Sequence, residues 1–159
     1  MTQDATFEDA SDAPLYLLAQ DADDLQVLSS LTQDAVFPAT EIKWQSATNR
    51  LSLLINRVRW EDKAAAERSG RPLERVQSVL VFDMVRRVAS QGISRKDSDT
   101  VLSILSISFS STDAPSGQIT VTLAGDGAIR MDVEALEVLL RDVTRPYVAV
   151  SKRTPKHPD

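Results

Sequence analysis

The sequence predicts an α+β protein. The expected architecture is an antiparallel β-sheet or partly open barrel of six to seven strands, with an N-terminal helix and a C-terminal capping helix. Three observations predict it. From residue 36 onward, apolar and polar residues alternate with period two through several successive segments, as half-buried strands require. Short turn sequences such as Thr48–Asn49 and Gly125–Asp126–Gly127 join these segments, so neighbours pair as hairpins and nothing alternates strand with helix as a parallel sheet would. Two segments, one near each end, instead repeat apolar residues at helical spacing.

Taken in order, residues 1–13 are acidic and poor in large apolar groups, which predicts a disordered acidic arm. Residues 14–150 form the α+β domain and 151–159 a flexible tail. "LYLLAQ" (15–20) is a short apolar strand. In residues 21–34, Asp21 is a good N-cap, Asp23 and Asp24 suit the positive helix end, and Leu25, Leu28 and Leu31 form a stripe beside Val27. Residues 36–47 read as a strand interrupted at Pro38, paired as a hairpin with 50–60. Residues 61–73, charged and Ala-rich, read as a loop or as one or two helical turns ended by Gly70-Arg71-Pro72.

Residues 74–92 place Val76, Leu80, Phe82 and Met84 on one face; their length fits either one curved strand or two strands turning near Asp83. After a loop over 93–100, residues 101–111 and 118–125 form a hairpin across 112–117. In 128–133, Ile129, Met131 and Val133 point inward, Arg130 and Asp132 outward. Residues 134–143 predict the capping helix, with a stripe of Leu136, Leu139, Leu140 and Val143 and a supporting Glu137–Arg141 pair. Pro146 stops it, and "YVAVS" adds a short edge strand. From residue 36 this element order resembles the pleckstrin-homology-like superfold, two orthogonal sheets capped by a helix. Such a resemblance carries fold and no function.

Composition closes off more functions than it opens. The chain has 159 residues, 42% hydrophobic and 26% charged, enough for one well-packed core. The absence of cysteine removes disulfides, thiolate metal sites and cysteine nucleophiles. The single histidine, His157, lies in the proline-bearing tail, so histidine-based catalysis has no positioned base. "AGDGAIR" (124–130) leads into a strand and is a turn rather than a phosphate loop, and "RKDSDT" (95–100) is too short for a calcium loop. No catalytic residue, metal ligand or cofactor is expected. No apolar run is long enough to span a membrane, and the acidic N-terminus lacks the features of a targeting signal, so a cytoplasmic location is expected.

The net charge of −5 is uneven: residues 1–34 hold eight acids and no Lys or Arg, leaving the remainder mildly basic. That balance, with few aromatics, argues against nucleic acid as a partner.

The remaining candidate chemistry is arginine. "LSLLINRVRWED" (51–62) carries Leu51, Leu53 and Ile55 on one face, and the same register adds Arg57 and Arg59. With Arg75 and Arg86 (and Arg87) from the next segment, they could bind a small anion such as a phosphate or carboxylate. The favoured alternative is antiparallel cross-strand pairing with Glu61, Asp62, Glu74 or Asp83. Charges beneath a leucine face are costly unless paired. A β-bulge near Asn56–Arg57 would relieve the conflict, turning Val58 and Trp60 to the core and Arg59 outward.

The strings "NRVRWED", "ERVQSVLVFD", "GISRKDSDTVLSILSISF" and above all "GAIRMDVEALEVLLRD" resemble a proteobacterial domain-of-unknown-function family over about residues 15 to 150. The resemblance implies a bacterial cytoplasmic protein and brings no site residues with it. The leading expectation is a non-enzymatic interaction or scaffold module, binding a protein partner or forming a homo-oligomer through an exposed strand edge. The alternative is a small-anion binder, or an enzyme, acting through an arginine-lined face.

Overall fold

In the computed structural model, residues 13–93 and 99–149 are described. The acidic arm, the tail and the centre of the 93–100 loop lie outside the described residues. Strands β1 (Tyr16–Ala19), β2 (Val36–Pro38), β3 (Ile42–Gln45), β4 (Arg50–Val58), β5 (Glu74–Phe82) and β6 (Val85–Gln91) are followed by β7 (Val101–Asp113), β8 (Ser116–Leu123), β9 (Ala128–Val133), β10 (Val138–Asp142) and β11 (Tyr147–Val148). Two helices, α1 (Ala22–Leu31) and α2 (Lys63–Ser69), interrupt the series. The Asp21 carboxylate caps α1 by accepting from the Asp24 N–H at 2.8 Å, as its sequence predicts. Leu25 and Leu28 are the buried face of α1, whereas Val27 points to solvent.

All strand pairing is antiparallel, in one open sheet of order β1-β10-β5-β4-β2-β7-β8-β9-β6, with β3 added to β4 and β11 to β5. The α+β class and the antiparallel sheet are therefore as expected, but the 11 strands among the described residues exceed six to seven. Part of the excess comes from two breaks. Pro38 ends β2 before a 3-10 turn, and Met84, with a left-handed φ of 57°, turns the chain from β5 into β6. That turn also resolves residues 74–92 into two strands.

A further strand replaces the expected C-terminal helix. Residues 138–142 are β10, seated between β1 and β5 with register Leu140↔Leu17 and Leu140↔Leu80. The apolar run fits both periods on paper, but burial follows period two. Leu136, Val138 and Leu140 are buried, while Leu139 is partly exposed and Val143 is on the surface. Two unpaired strand edges on either side outweigh local helix propensity, because each backbone group of β10 finds a partner there.

The expected bulge in β4 is absent. The β4–β5 register runs unbroken from Leu51↔Phe82 to Val58↔Arg75. Arg57 and Arg59 thus stay on the inner face, and both are buried. Register shifts occur instead between Val85 and Arg87 in β6 and in two places along β7.

Cross-strand partners share a face, so the registers define rows across the sheet. In the half built from β1, β10, β5, β4 and β3, the inner rows are Ala19·Val138·Phe82·Leu51·Trp44 and Leu17·Leu140·Leu80·Leu53·Ile42. The inner face of the β7-β8-β9-β6 half contributes Ile107, Ile119, Val121, Ile129, Met131 and Val133 to the same core.

Candidate functional site

Farther along β4 and β5 the inner face changes from apolar to charged. The next rows hold Asp142 opposite Ser78 and Val76 opposite Arg57, and then Arg59 beside Glu74. Arg57 is fully buried. One edge of its guanidinium donates to Glu61, with Nη1 to Oε1 and Nη2 to Oε2 both at 2.8 Å. On the other edge, Nη2 reaches Asp142 Oδ1 at 3.0 Å and Nε reaches Ser78 Oγ at 3.1 Å. Ser78 in turn donates to Asp142 Oδ1 at 2.7 Å, and the Leu15 N–H donates to Asp142 Oδ2 at 2.8 Å. Asp142 therefore ties together the entry to β1 and strands β4, β5 and β10.

A second group continues from this one. Arg59 donates to Glu74 at 2.9 Å and lies 3.6 Å from Asp62. Arg71, just after α2, closes the group by donating to Asp62 at 2.7 Å. The short 3-10 turn Trp60–Asp62 and α2 make this possible by folding Glu61 and Asp62 back under their neighbouring arginines.

Burial alone would push the Arg57 guanidinium down, but hydrogen bonds and charge attraction from Glu61 and Asp142 outweigh it and hold it above the usual arginine range. A folded value above the unfolded one means the stabilisation is complete below the unfolded value and is lost only at still more alkaline pH. Arg57 is thus a permanent cation across any physiological range.

This arrangement is saturated. Three arginines (Arg57, Arg59, Arg71) meet four carboxylates (Glu61, Asp62, Glu74, Asp142), and no buried side-chain polar atom among the described residues lacks a partner. No surplus positive charge remains to attract an anion. Ser78 is buried and held between Arg57 and Asp142, so no substrate reaches its hydroxyl. A cleft of about 540 Å³ opens beside the network, lined by Glu74, Asp142, Thr144 and Arg145 together with Ala13, Pro14 and Pro146.

The four arginines singled out in the sequence do not form one face. Arg57 and Arg59 are neighbours in the network. Arg75 has the opposite parity in β5 and lies on the outer face, donating to Asn56 Oδ1 at 3.2 Å. Arg86 is exposed in the other half of the sheet, 3.3 Å from Glu134, and lines a cleft of about 410 Å³ with Arg87 and Asp132. All four acids named as partners do pair with arginine, but only Glu74 pairs across strands with one of the candidate arginines: Glu61 and Asp62 pair along the chain with Arg57 and Arg59, and Asp83 pairs with Arg50 at 2.7 Å. Asp142, Ser78 and Arg71 were missed. The signal for Asp142 was period two: two residues beyond Leu140, it shares that residue's buried face once 138–142 is read as a strand.

The outer faces of the two halves differ. Across β7, β8, β9 and β6 the outer rows are Ser106·Thr122·Ala128·Gln91, Ser108·Thr120·Arg130·Ala89 and Ser110·Gln118·Asp132·Arg87, a largely polar surface with Leu105 exposed at the β7 register shift. Across β1, β10, β5, β4 and β3 they are Leu18·Leu139·Val81·Ser52·Lys43 and Tyr16·Arg141·Val79·Leu54. The next row adds Val143 opposite Gln77, by way of the Val143 N–H to Gln77 carbonyl bond. Tyr16 is 66% exposed, Val143 44% and Leu18 39%. Neither helix covers them: α1 buries Leu25 and Leu28 in the core, and α2 packs on the turn before it.

These features define an α+β protein with a large open antiparallel sheet, one end of its core locked by ion pairs and one outer face apolar. The chain belongs to the family described as "Protein of unknown function (DUF2948)", whose model matches residues 15–157. No curated protein and no solved structure gives a significant match. Among the described residues, no helix is long and apolar enough to cross a membrane, and no group of three acids or histidines converges as a metal site.

Proposed function

We propose that this protein is a non-enzymatic interaction module that docks a protein partner on the outer face of the β1-β10-β5-β4-β3 half. The observation that supports it is the contrast between the two outer faces of one sheet. An antiparallel sheet tolerates water on one side when that side is mostly polar, as the β7-β8-β9-β6 half is apart from Leu105. A contiguous patch of Tyr16, Leu18, Leu54, Val79, Val81, Leu139 and Val143 is what protein-binding surfaces present. Strand-edge pairing is less favoured, because β1 offers only 4 residues and the other end strand, β6, carries Arg86 and Arg87, the charged residues that discourage edge pairing. A bacterial, cytoplasmic setting belongs to the same proposal, supported by the family resemblance and the acidic character of the N-terminus. A pleckstrin-homology-like relationship keeps only its run of antiparallel strands as support.

The small-anion reading draws on the cleft beside Arg86 and Arg87. Against it stand Asp132 in that cleft and Glu134 on Arg86, which balance the two cations. Site-specific photo-crosslinking in cells compares the two faces directly. A benzophenone side chain at Leu139 is expected to give discrete protein adducts, and one at Thr120 none. Equal labelling at both positions, or none at either, sinks the proposal.

A further inference from the structure

We infer that the occupant of this face is an acidic amphipathic segment of a partner protein, a helix of about four turns with a leucine-type apolar stripe flanked by carboxylates. The inference rests on the reading of the face as a docking surface and adds the partner's chemistry. Charge complementarity carries it. Within the outer rows of this half, every charged side chain is a cation: Lys43 in the Leu18 row, Arg141 in the Tyr16 row, and Arg75 two residues beyond Gln77. Lys43 and Arg141 are exposed, and among the described residues neither makes an ion pair. Among the described residues Arg75 bonds to Asn56, through its carbonyl and its side-chain oxygen.

Acids enter only beyond the strand ends: Glu41 lies in the 3-10 turn before β3, and two others are engaged. Asp83 pairs with Arg50, and Glu137 accepts from Gln20 at 3.1 Å. The surface is therefore an apolar field with cations set inside it and at its rim. A second copy would set Arg141 and Lys43 against the same cations, which opposes face-to-face self-association. An acidic segment would neutralise them while covering the apolar rows.

The dimensions suit a helix. Five strands at about 4.8 Å spacing span about 19 Å. About thirteen helical residues at 1.5 Å rise cover that width. Helix on sheet is also the usual way to cover an apolar sheet face.

The test uses two fluorescein-labelled 14-residue peptides with leucines at i, i+3, i+4 and i+7, the other positions being mainly glutamate in one and mainly lysine in the other. Fluorescence anisotropy with the full chain is expected to show the glutamate peptide binding about tenfold tighter at low salt, the difference shrinking as salt rises. In the Lys43→Glu/Arg141→Glu variant the preference is expected to invert. Both positions are exposed, and far-ultraviolet circular dichroism checks that the variant is folded. Equal binding of the two peptides, or of neither, overturns the acidic-segment inference, as does tighter binding to phosphatidylserine-containing vesicles than to the glutamate peptide. Crosslinks at Leu139 separate the two levels. Adducts there without a charge preference retain the docking face and reject its acidic occupant, whereas no adducts and no peptide binding reject both.

Discussion

Arg57→Met is expected to lower the free energy of unfolding by about 3–5 kcal/mol, measured by urea denaturation. The size follows from what the substitution leaves behind. Methionine fills much of the arginine's volume, so the cavity is small. Asp142, however, remains inside the protein, its side chain 4% exposed, with its counter-charge gone. Glu61 is less affected, because at 29% exposure it can turn to water. The double variant Arg57→Met/Asp142→Asn removes the stranded charge while an amide oxygen still accepts from the Leu15 N–H. It is expected to be more stable than Arg57→Met alone, a non-additivity expected of residues in one network. A loss below about 1 kcal/mol for the single variant would falsify the account of this end of the core as an ion-pair lock.

The second large effect separates strand from helix in residues 138–142. Leu140→Ala is expected to cost about 2–5 kcal/mol, because its side chain is buried between Leu17 and Leu80 in the centre of the inner face. Leu139→Ala, one residue away on the partly exposed outer face, is expected to cost under about 1 kcal/mol. A helix with both leucines in its buried stripe would give comparable losses. Thermal or urea unfolding of the two variants side by side decides between the periods.

Much of the fold was legible because local chemistry and tertiary structure agree. Asp21 before Leu25 and Leu28 gives a capped helix in both. The alternation in 128–133 survives as Ile129, Met131 and Val133 inward with Arg130 outward. The sequence was misleading where an apolar run satisfied two periods. In 134–143 helix propensity and an i,i+4 pair pointed one way, and only the waiting edges of β1 and β5, contributed by residues 60 and 120 positions away, pointed the other.

The arginines failed for a related reason. Arg57 and Arg59 looked too costly to bury in a straight strand, and a bulge was the local remedy. The protein uses a distant remedy instead, since Asp142 comes from β10, whose sequence alone predicts a helix. With that residue misplaced, Arg57's deepest partner was invisible. The neighbouring acids Glu61, Asp62 and Glu74 are visible in the sequence and do pair with arginine, Glu74 across strands and Glu61 and Asp62 along the chain.

The position of β10 between β1 and β5 also sets an order of events in time. β1 is synthesised first among the strands, and its one strand partner is synthesised tenth. Until β10 arrives, the hydrogen-bonding groups of Tyr16–Ala19 and the outer edge of β5 have no ladder to join, and Arg57 has no Asp142. Closing contacts between residues 15 and 142 carries the entropic cost of a long loop, which slows folding relative to the local hairpins. During refolding, pulsed hydrogen exchange is expected to show the amides of β7, β8 and β9 protected first and those of β1 and β10 together and last. Early protection of β1 would contradict this order. The half of the sheet that presents the apolar face is thus the half that the growing chain completes last.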